Sequence, residues 1–441
     1  MLLEKLFQLK AVGTSVRREL IAGLTNFMTI SYIIFFQPTL LSLAGMDYGA
    51  VMVATCVSSA IASFAMGLLT NYPVVLAPGM GLNAYFVFDV CQGLNLPWQE
   101  ALGIVFISGV LFFILSFVGI REAIMNAIPP SLQNAIAIGI GLFIAFIGLQ
   151  WSGIITKHPA TFITRGDLLS APVLLSLFGV AVTLTLIARR IRGAILIGIL
   201  VTAAIGLIFG LTKYDGVAAA PPAIAPTFFK LQLPNIFDKL DLISVIFVFF
   251  AIDMFDTIGT LTAIGYRAEL IEKGRLVKAR RALLADAGST VGGALLGTST
   301  VTCYIESTTG IAVGGRTGLT PVFTGIFMLL SLALFPLVKI VGGEYVYQGI
   351  QLHPIIAPAL IVVGGLMLRD VNQIDWEDIT ESIPAFLTII MMPLSFSITD
   401  GIGFGLVSLA FLKLVTGRGK EVNPVIYYFA LFFIACYIGD L

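Results

Sequence analysis

Apolar runs free of charge, each long enough to cross a bilayer, recur along the whole 441-residue chain. A spanning helix needs about 20 mostly apolar residues, because the hydrocarbon layer is about 30 Å thick. Runs 20–46, 48–88, 101–120, 123–156, 168–188, 193–212, 317–338 and 345–368 have this character. Runs 242–266 and 282–316 share it but are interrupted by isolated acids, and 382–399 with 401–412 form a close pair. Only 11% of the residues are charged, against about 25% in ordinary soluble domains, so a soluble globule could not cover itself. The 25 basic and 25 acidic residues cancel, which disfavours nucleic acid as a partner, and 58% hydrophobic content excludes a disordered chain. A polytopic protein of the lipid bilayer remains.

The runs divide into spans near 20–44, 51–69, 73–92, 101–119, 131–150, 171–188, 193–211, 241–265, 282–298, 301–316, 320–340, 354–368, 383–398 and 402–416. That is fourteen. A last apolar piece, 423–439, is either a further span or interfacial. The opening MLLEKLFQLKAVGTSVRREL is broken by charge and reads as a cytoplasmic amphipathic lead-in rather than a signal peptide. With the N-terminus in the cytoplasm, only Lys157, Arg165, Lys213, Lys230, Lys239 and Lys339 of the 25 Lys and Arg fall outside, as the positive-inside rule asks. The Pro- and Ala-rich stretch 212–240 separates two halves of seven spans each. An odd number per half inverts the second half, and inverted repeats place a site at the bilayer midplane. The expected fold is thus all-α and polytopic.

Few ionisable groups lie deep in a span. Asp253 and Asp256 share one face at the middle of span eight, and Glu306 lies in the tenth segment. Buried carboxylates in hydrocarbon are costly, so they are expected to face an ion or substrate path rather than only pair with polar neighbours. Segment three, PVVLAPGMGLNAYFVFDV, and segment ten occupy equivalent places in the two halves. Each begins with β-favouring residues (Val74 to Leu76; Thr300 to Tyr304) and then turns helix-compatible. Pro78, Gly79 and Gly81 favour a helix start, and Ser307, Thr308 and Thr309 offer capping hydroxyls. Two half-helices are expected to begin near mid-membrane, with short strands before them and free N–H groups facing a ligand. Ordinary Gly/Pro kinking is the plainer alternative. Asp89 and Asp400 read as wet span ends, Asp286 as lying near the cytoplasmic cation-rich loop 267–281, and His158 and His353 as solvated loop residues.

The carboxylates, the amide of Asn83 and the rings of Phe27, Tyr32, Tyr85, Phe255 and Tyr304 suit a flat polar heterocycle. A desolvated acid could take up a proton with the substrate; Na⁺ coupling stays open. The scattered cysteines, Cys56, Cys91, Cys303 and Cys436, form no metal-binding spacing, and neither a Walker A nor an H-E-x-x-H sequence occurs. No metal, cofactor or enzymatic cluster is expected.

APGMGLNAYF (77–86), AIDMFDTIGTL (251–261), ADAGSTVGGALLGTS (285–299) and TCYIESTTGIAVGGRTGLTP (302–321) resemble the adenine/guanine/hypoxanthine permeases. These form the azaguanine-permease-like branch of the nucleobase–ascorbate transporter superfamily, and the resemblance covers essentially the whole chain. It implies a seven-plus-seven inverted repeat split into a core domain (20–120 and 241–340) and a gate domain (121–211 and 341–416). A lead-in (1–19), an outer linker (212–240) and an apolar tail (417–441) complete the chain. It also implies uptake of purine nucleobases across the plasma or inner membrane, usually with H⁺ as coupling ion, and a homodimer through gate domains. By position, Asn83, Asp253 and Glu306 match purine-contacting residues and Asp256 a supporting acid; backbone at Ala84 and Thr308 and the ring of Tyr304 are further candidates. An anion exchanger or channel of the same architecture is the alternative function.

Overall fold

The structure, a computed structural model, describes residues 2–118, 129–214, 216–234, 240–272, 275–343, 345–347 and 349–439. The expected boundary at 120–121, Arg121, Lys239 and Lys273 lie outside the described residues, as does the side chain of Phe255.

After a short α1 (Leu2–Phe7), the first span is two helices, α2 (Val16–Ile30) and α3 (Tyr32–Ser42), meeting at Ser31. α4 (Tyr48–Thr70) follows. Its ends show how local chemistry sets boundaries: the Asp47 carboxylate accepts the Ala50 N–H at 2.8 Å, and Asn71 closes the helix with φ 64°. The first cap satisfies an orphan donor, and the second uses the left-handed geometry that Asn tolerates.

Segment three is β1 (Leu76–Pro78), α5 (Met80–Ala84) and a π-helical stretch, Tyr85–Gly93. Next come α6 (Trp98–Val118), α7 (Pro130–Trp151), the hairpin β2 (Ile155–His158) with β3 (Phe162–Arg165), α8 (Ala171–Ala188) and α9 (Ala194–Ile208). The second half holds α10 (Leu240–Arg267), the hairpin β4 (Ile271–Glu272) with β5 (Arg275–Leu276), α11 (Ala279–Leu296), β6 (Val301–Cys303), α12 (Ser307–Ala312), α13 (Leu319–Leu330) and α14 (Phe335–Gly342). The hairpin β7 (Tyr345–Tyr347) with β8 (Ile350–Leu352) precedes α15 (Ala357–Met367), α16 (Ile379–Ser395), α17 (Ile398–Val415) and α18 (Pro424–Gly439). The protein is thus a mostly helical multi-span membrane protein.

Among the described residues, eight helices are long and apolar enough to cross a membrane. The other expected spans are shorter or interrupted for identifiable reasons. Segments three and ten are strand plus short helix, α11 carries Arg280, Arg281 and Asp286, and α15 has only 11 residues. The tail 423–439 forms α18, packed on α17.

Helices α2, α4, α6, α11 and α13 pack most closely with one another, and α7, α8, α15, α16 and α17 form a second such group. α10 rests on α6 and reaches β6, α5 and α12. The stretch 216–234 is tied to the first group: Phe229 N–H donates to Leu295 O, and Gln232 N–H to Gln99 O, both at 2.9 Å. At the other end of the second group, the buried Lys413 ammonium lies 3.0 Å from Glu381 and 3.2 Å from Glu421, joining α16, α17 and the turn before α18.

Candidate functional site

The two broken segments meet. β1 pairs antiparallel with β6 in the register Leu76↔Cys303, Ala77↔Thr302, Pro78↔Val301. Two further bonds extend the ladder, Gly79 N–H to Thr300 O at 3.1 Å and Tyr304 N–H to Val75 O at 3.0 Å. Because each strand leads into its own short helix, the antiparallel pairing brings the starts of α5 and α12 to a common crossing. Unpaired strands would be untenable in hydrocarbon; here each satisfies the other inside protein.

The ends of these helices differ from expectation. At α12 the N–H groups of Ser307, Thr308 and Thr309 already donate to the carbonyls of Tyr304, Ile305 and Glu306 at 3.1, 3.0 and 2.9 Å. The N–H of Thr308 is therefore engaged within the turn. Nor do the hydroxyls cap this helix: Ser307 Oγ donates to Tyr304 O at 2.6 Å and Thr309 Oγ1 to Glu306 O at 2.8 Å. A tight turn takes up the N–H groups, while the hydroxyls also reach other segments: Ser307 Oγ accepts the Val75 N–H at 3.0 Å and Thr309 Oγ1 lies 3.2 Å from Asn26 Oδ1. At α5, helix geometry still leaves the N–H groups of Met80, Gly81 and Leu82 without intrahelical acceptors. Ala84 is fully buried within that helix.

Glu306, at the N-cap of α12, is half-buried, and its Oε1 accepts from the Tyr32 hydroxyl at 3.0 Å. Asp253 is buried, and its Oδ2 accepts from Thr290 Oγ1 at 3.1 Å. That hydroxyl also lies 3.0 Å from Val301 O, so Asp253 is linked through α11 to β6. Asp256 differs: it is exposed although it sits mid-span and within electrostatic reach of Asp286 and Glu306. A carboxylate at mid-span is costly unless it faces protein or water rather than lipid. Tyr304 is buried, and its hydroxyl donates to Pro78 O, which clasps the two strands. Asn83 is fully buried and donates through Nδ2 to Gln37 Oε1.

Thus Asp253, Asp256, Glu306, Tyr304 and Asn83 all lie on elements that converge on the β1–β6 crossing. The structure adds residues that the spacing pattern did not single out. Gln37 and Thr298 are joined by a 3.0 Å bond. Asn26 accepts the Gly310 N–H at 2.8 Å. Gly310 needs its missing side chain there, since a Cβ would come within 2.5 Å of Asn26 Oδ1. Gln37 and Asn26 are polar residues in otherwise apolar spans, which is the signal that could have found them.

Two other positions are corrected. Asp286 is not beside the cation-rich loop: it is fully buried, accepting from Thr257 Oγ1 at 2.6 Å and Cys303 Sγ at 3.3 Å. His353 is not solvated: it is buried, its ring 4.7 Å from that of Trp151, and burial pushes its imidazole down to about 4. Chain reversal at β7–β8 folds His353 back against the end of α7, which no local pattern announces.

Comparison with known proteins agrees with this architecture. The model of the Permease family matches residues 17–404. A putative permease of Methanocaldococcus jannaschii is 49% identical over 98% of this chain and 97% of its own. The guanine/hypoxanthine permease PbuG of Bacillus subtilis is 44% identical over 98% of each. The adenine permease AdeP of Escherichia coli is 43% identical over 98% of this chain and 95% of its own. Among solved structures, the transmembrane domain of the cyanobacterial bicarbonate transporter BicA superposes with a TM-score of 0.62 at 14% identity, covering 87% of this chain and 97% of that one. Murine Slc26a9, an anion transporter in the inward-facing state, gives 0.61 at 12% identity, covering 90% and 68%. At such identity these two likenesses concern the fold alone. With the family match spanning most of the sequence and relatives near half-identical from end to end, the chain belongs to the Permease family, a membrane transporter and not an enzyme.

Proposed function

We propose that this permease imports purine nucleobases, hypoxanthine, guanine and adenine among them, by proton symport across the plasma or inner membrane. The observation that carries the reading is the convergence of Asp253, Asp256, Glu306 and Asn83 on one strand crossing built from both halves of the chain. Carboxylates and an amide bind the N–H and C=O edges of a neutral heterocycle. The nearly end-to-end identity with PbuG and AdeP supports the same substrate class.

Asn83, Asp253 and Glu306 hold the base in this reading, and Asp256, exposed at mid-span, takes part in proton coupling with Asp253. Tyr304 acts through the β1–β6 clasp. The fourteen segments form a seven-plus-seven inverted repeat with the N-terminus cytoplasmic. The packing of α2, α4, α6, α11 and α13 supports a core domain, and that of α7, α8, α15, α16 and α17 a gate domain against which the core moves. A homodimer forms through the gate domains.

The second reading is an anion exchanger or channel of the same architecture, the fold shared with the anion transporters BicA and Slc26a9. Acids rather than cations at the crossing oppose it, because a permanent anion there would meet like charge. Uptake of radiolabelled hypoxanthine, guanine and adenine into cells lacking their own purine permeases separates the two. Accumulation of a base that collapses with a protonophore supports the proposal; chloride or bicarbonate flux without base uptake rejects it.

A further inference from the structure

Gln37 lies on α3, in the stretch Phe35 to Leu40, and is fully buried. A buried primary amide must find partners for two donors and an acceptor or pay heavily in desolvation. Gln37 finds one acceptor and one donor, on the two sides of the crossing. Its Nε2 donates to Thr298 Oγ1 at 3.0 Å, just before β6, and its Oε1 accepts from Asn83 Nδ2 on α5.

The consequence falls on Asn83. Its Nδ2 is engaged by Gln37, while its Oδ1 is buried and meets no donor. Leaving such an acceptor unpaired is costly. Turning the Asn83 amide over by itself would set its oxygen against Gln37 Oε1, acceptor against acceptor.

Resting on the purine reading above, we propose that Gln37 is a positioning residue which locks the Asn83 amide so that its oxygen, not its nitrogen, is offered to the base. That wall of the site then accepts a hydrogen bond and donates none from Asn83. With Glu306, also an acceptor when ionised, it selects bases by the N–H groups they carry. Purines differ in this respect: ring N1 bears a proton in hypoxanthine and guanine but is an acceptor in adenine, whereas the C6 substituent reverses that order. A fixed acceptor therefore discriminates among them, and a freely turning amide does not.

The test is equilibrium binding to purified full-length protein in detergent, with one labelled purine displaced by hypoxanthine, guanine, adenine and xanthine. Gln37→Leu removes the lock, and the ratio between the tightest- and weakest-bound base should narrow about tenfold, the size of one hydrogen-bond preference. Gln37→Glu can still accept from Asn83 Nδ2 and from the Thr298 hydroxyl, and should keep the wild-type order. If Gln37→Leu does not fold, Thr298→Val, which frees the Gln37 end, should narrow the ratio instead. An unchanged ratio in Gln37→Leu (or, where that variant fails, in Thr298→Val), or equal weakening of every base, overturns the inference while the purine reading stands. Wild-type protein that binds none of the four bases overturns the purine reading and the inference with it.

Discussion

Tyr32 and Glu306, 274 residues apart, meet in one hydrogen bond of 3.0 Å, from the Tyr32 hydroxyl to Glu306 Oε1. The first begins α3, and the second stands at the N-cap of α12. The bond fixes one carboxylate oxygen of the acid that the proposed site uses. Tyr32→Phe keeps the ring and removes the donor. We expect affinity for a bound base to fall about tenfold, since a hydrogen bond to a charged group contributes about 1.5–3 kcal/mol and part of that is recovered by relaxation. Displacement binding on the purified variant checks this; unchanged affinity would show that Tyr32 does not orient the site.

Glu306→Gln replaces an acceptor-only side chain with one that also donates. Base binding should fall by more than a hundredfold, while the variant remains in the membrane fraction and elutes as folded protein. Retained affinity would remove Glu306 from the list of ligand contacts.

Asp253 and Asp256 sit in contrasting surroundings, the first buried and bonded to Thr290, the second exposed. If one of them carries the coupling proton, its Asp→Asn variant should exchange internal for external base yet fail to concentrate it. Proteoliposomes with and without an imposed pH gradient distinguish the two activities. Uphill accumulation in both variants would mean that the proton travels elsewhere.

His353 should make stability depend on pH. Burial holds its folded value near 4, below the ordinary 6.5. Between these values the unfolded chain binds the extra proton. The stabilisation is therefore complete above pH 6.5, is lost as pH falls toward 4, and amounts to about 3 kcal/mol at most. The melting temperature in detergent should drop over that range, and His353→Phe, which keeps a ring beside Trp151, should show a shallower drop. Identical slopes would refute the assignment.

Much of this molecule is legible in one dimension. Span lengths follow from where charge is absent, and the mid-span acids stand out because hydrocarbon tolerates so few. The start of segment three is visible in Leu76 to Gly81, where β-favouring residues give way to Pro and Gly before a helix. The observed strand lies two residues later than Val74 to Leu76, because its register is set by pairing with Val301–Cys303 rather than by its own propensity. The hydroxyls of Ser307 and Thr309 illustrate the opposite outcome. Their spacing suggested caps, but the turn around Glu306 directs them to nearby carbonyls.

Sequence alone determined that the chain lives in a bilayer and where eight of its long spans fall, and it singled out the acids in segments eight and ten. These are consequences of solvent transfer, which acts on each segment independently. Only tertiary structure decided that Gln37 would hold Asn83, that Tyr32 would meet Glu306, and that Asp286 and His353 would be buried. Those contacts join elements distant along the chain, and hydrogen-bond geometry between such elements exists only once the two broken segments have crossed.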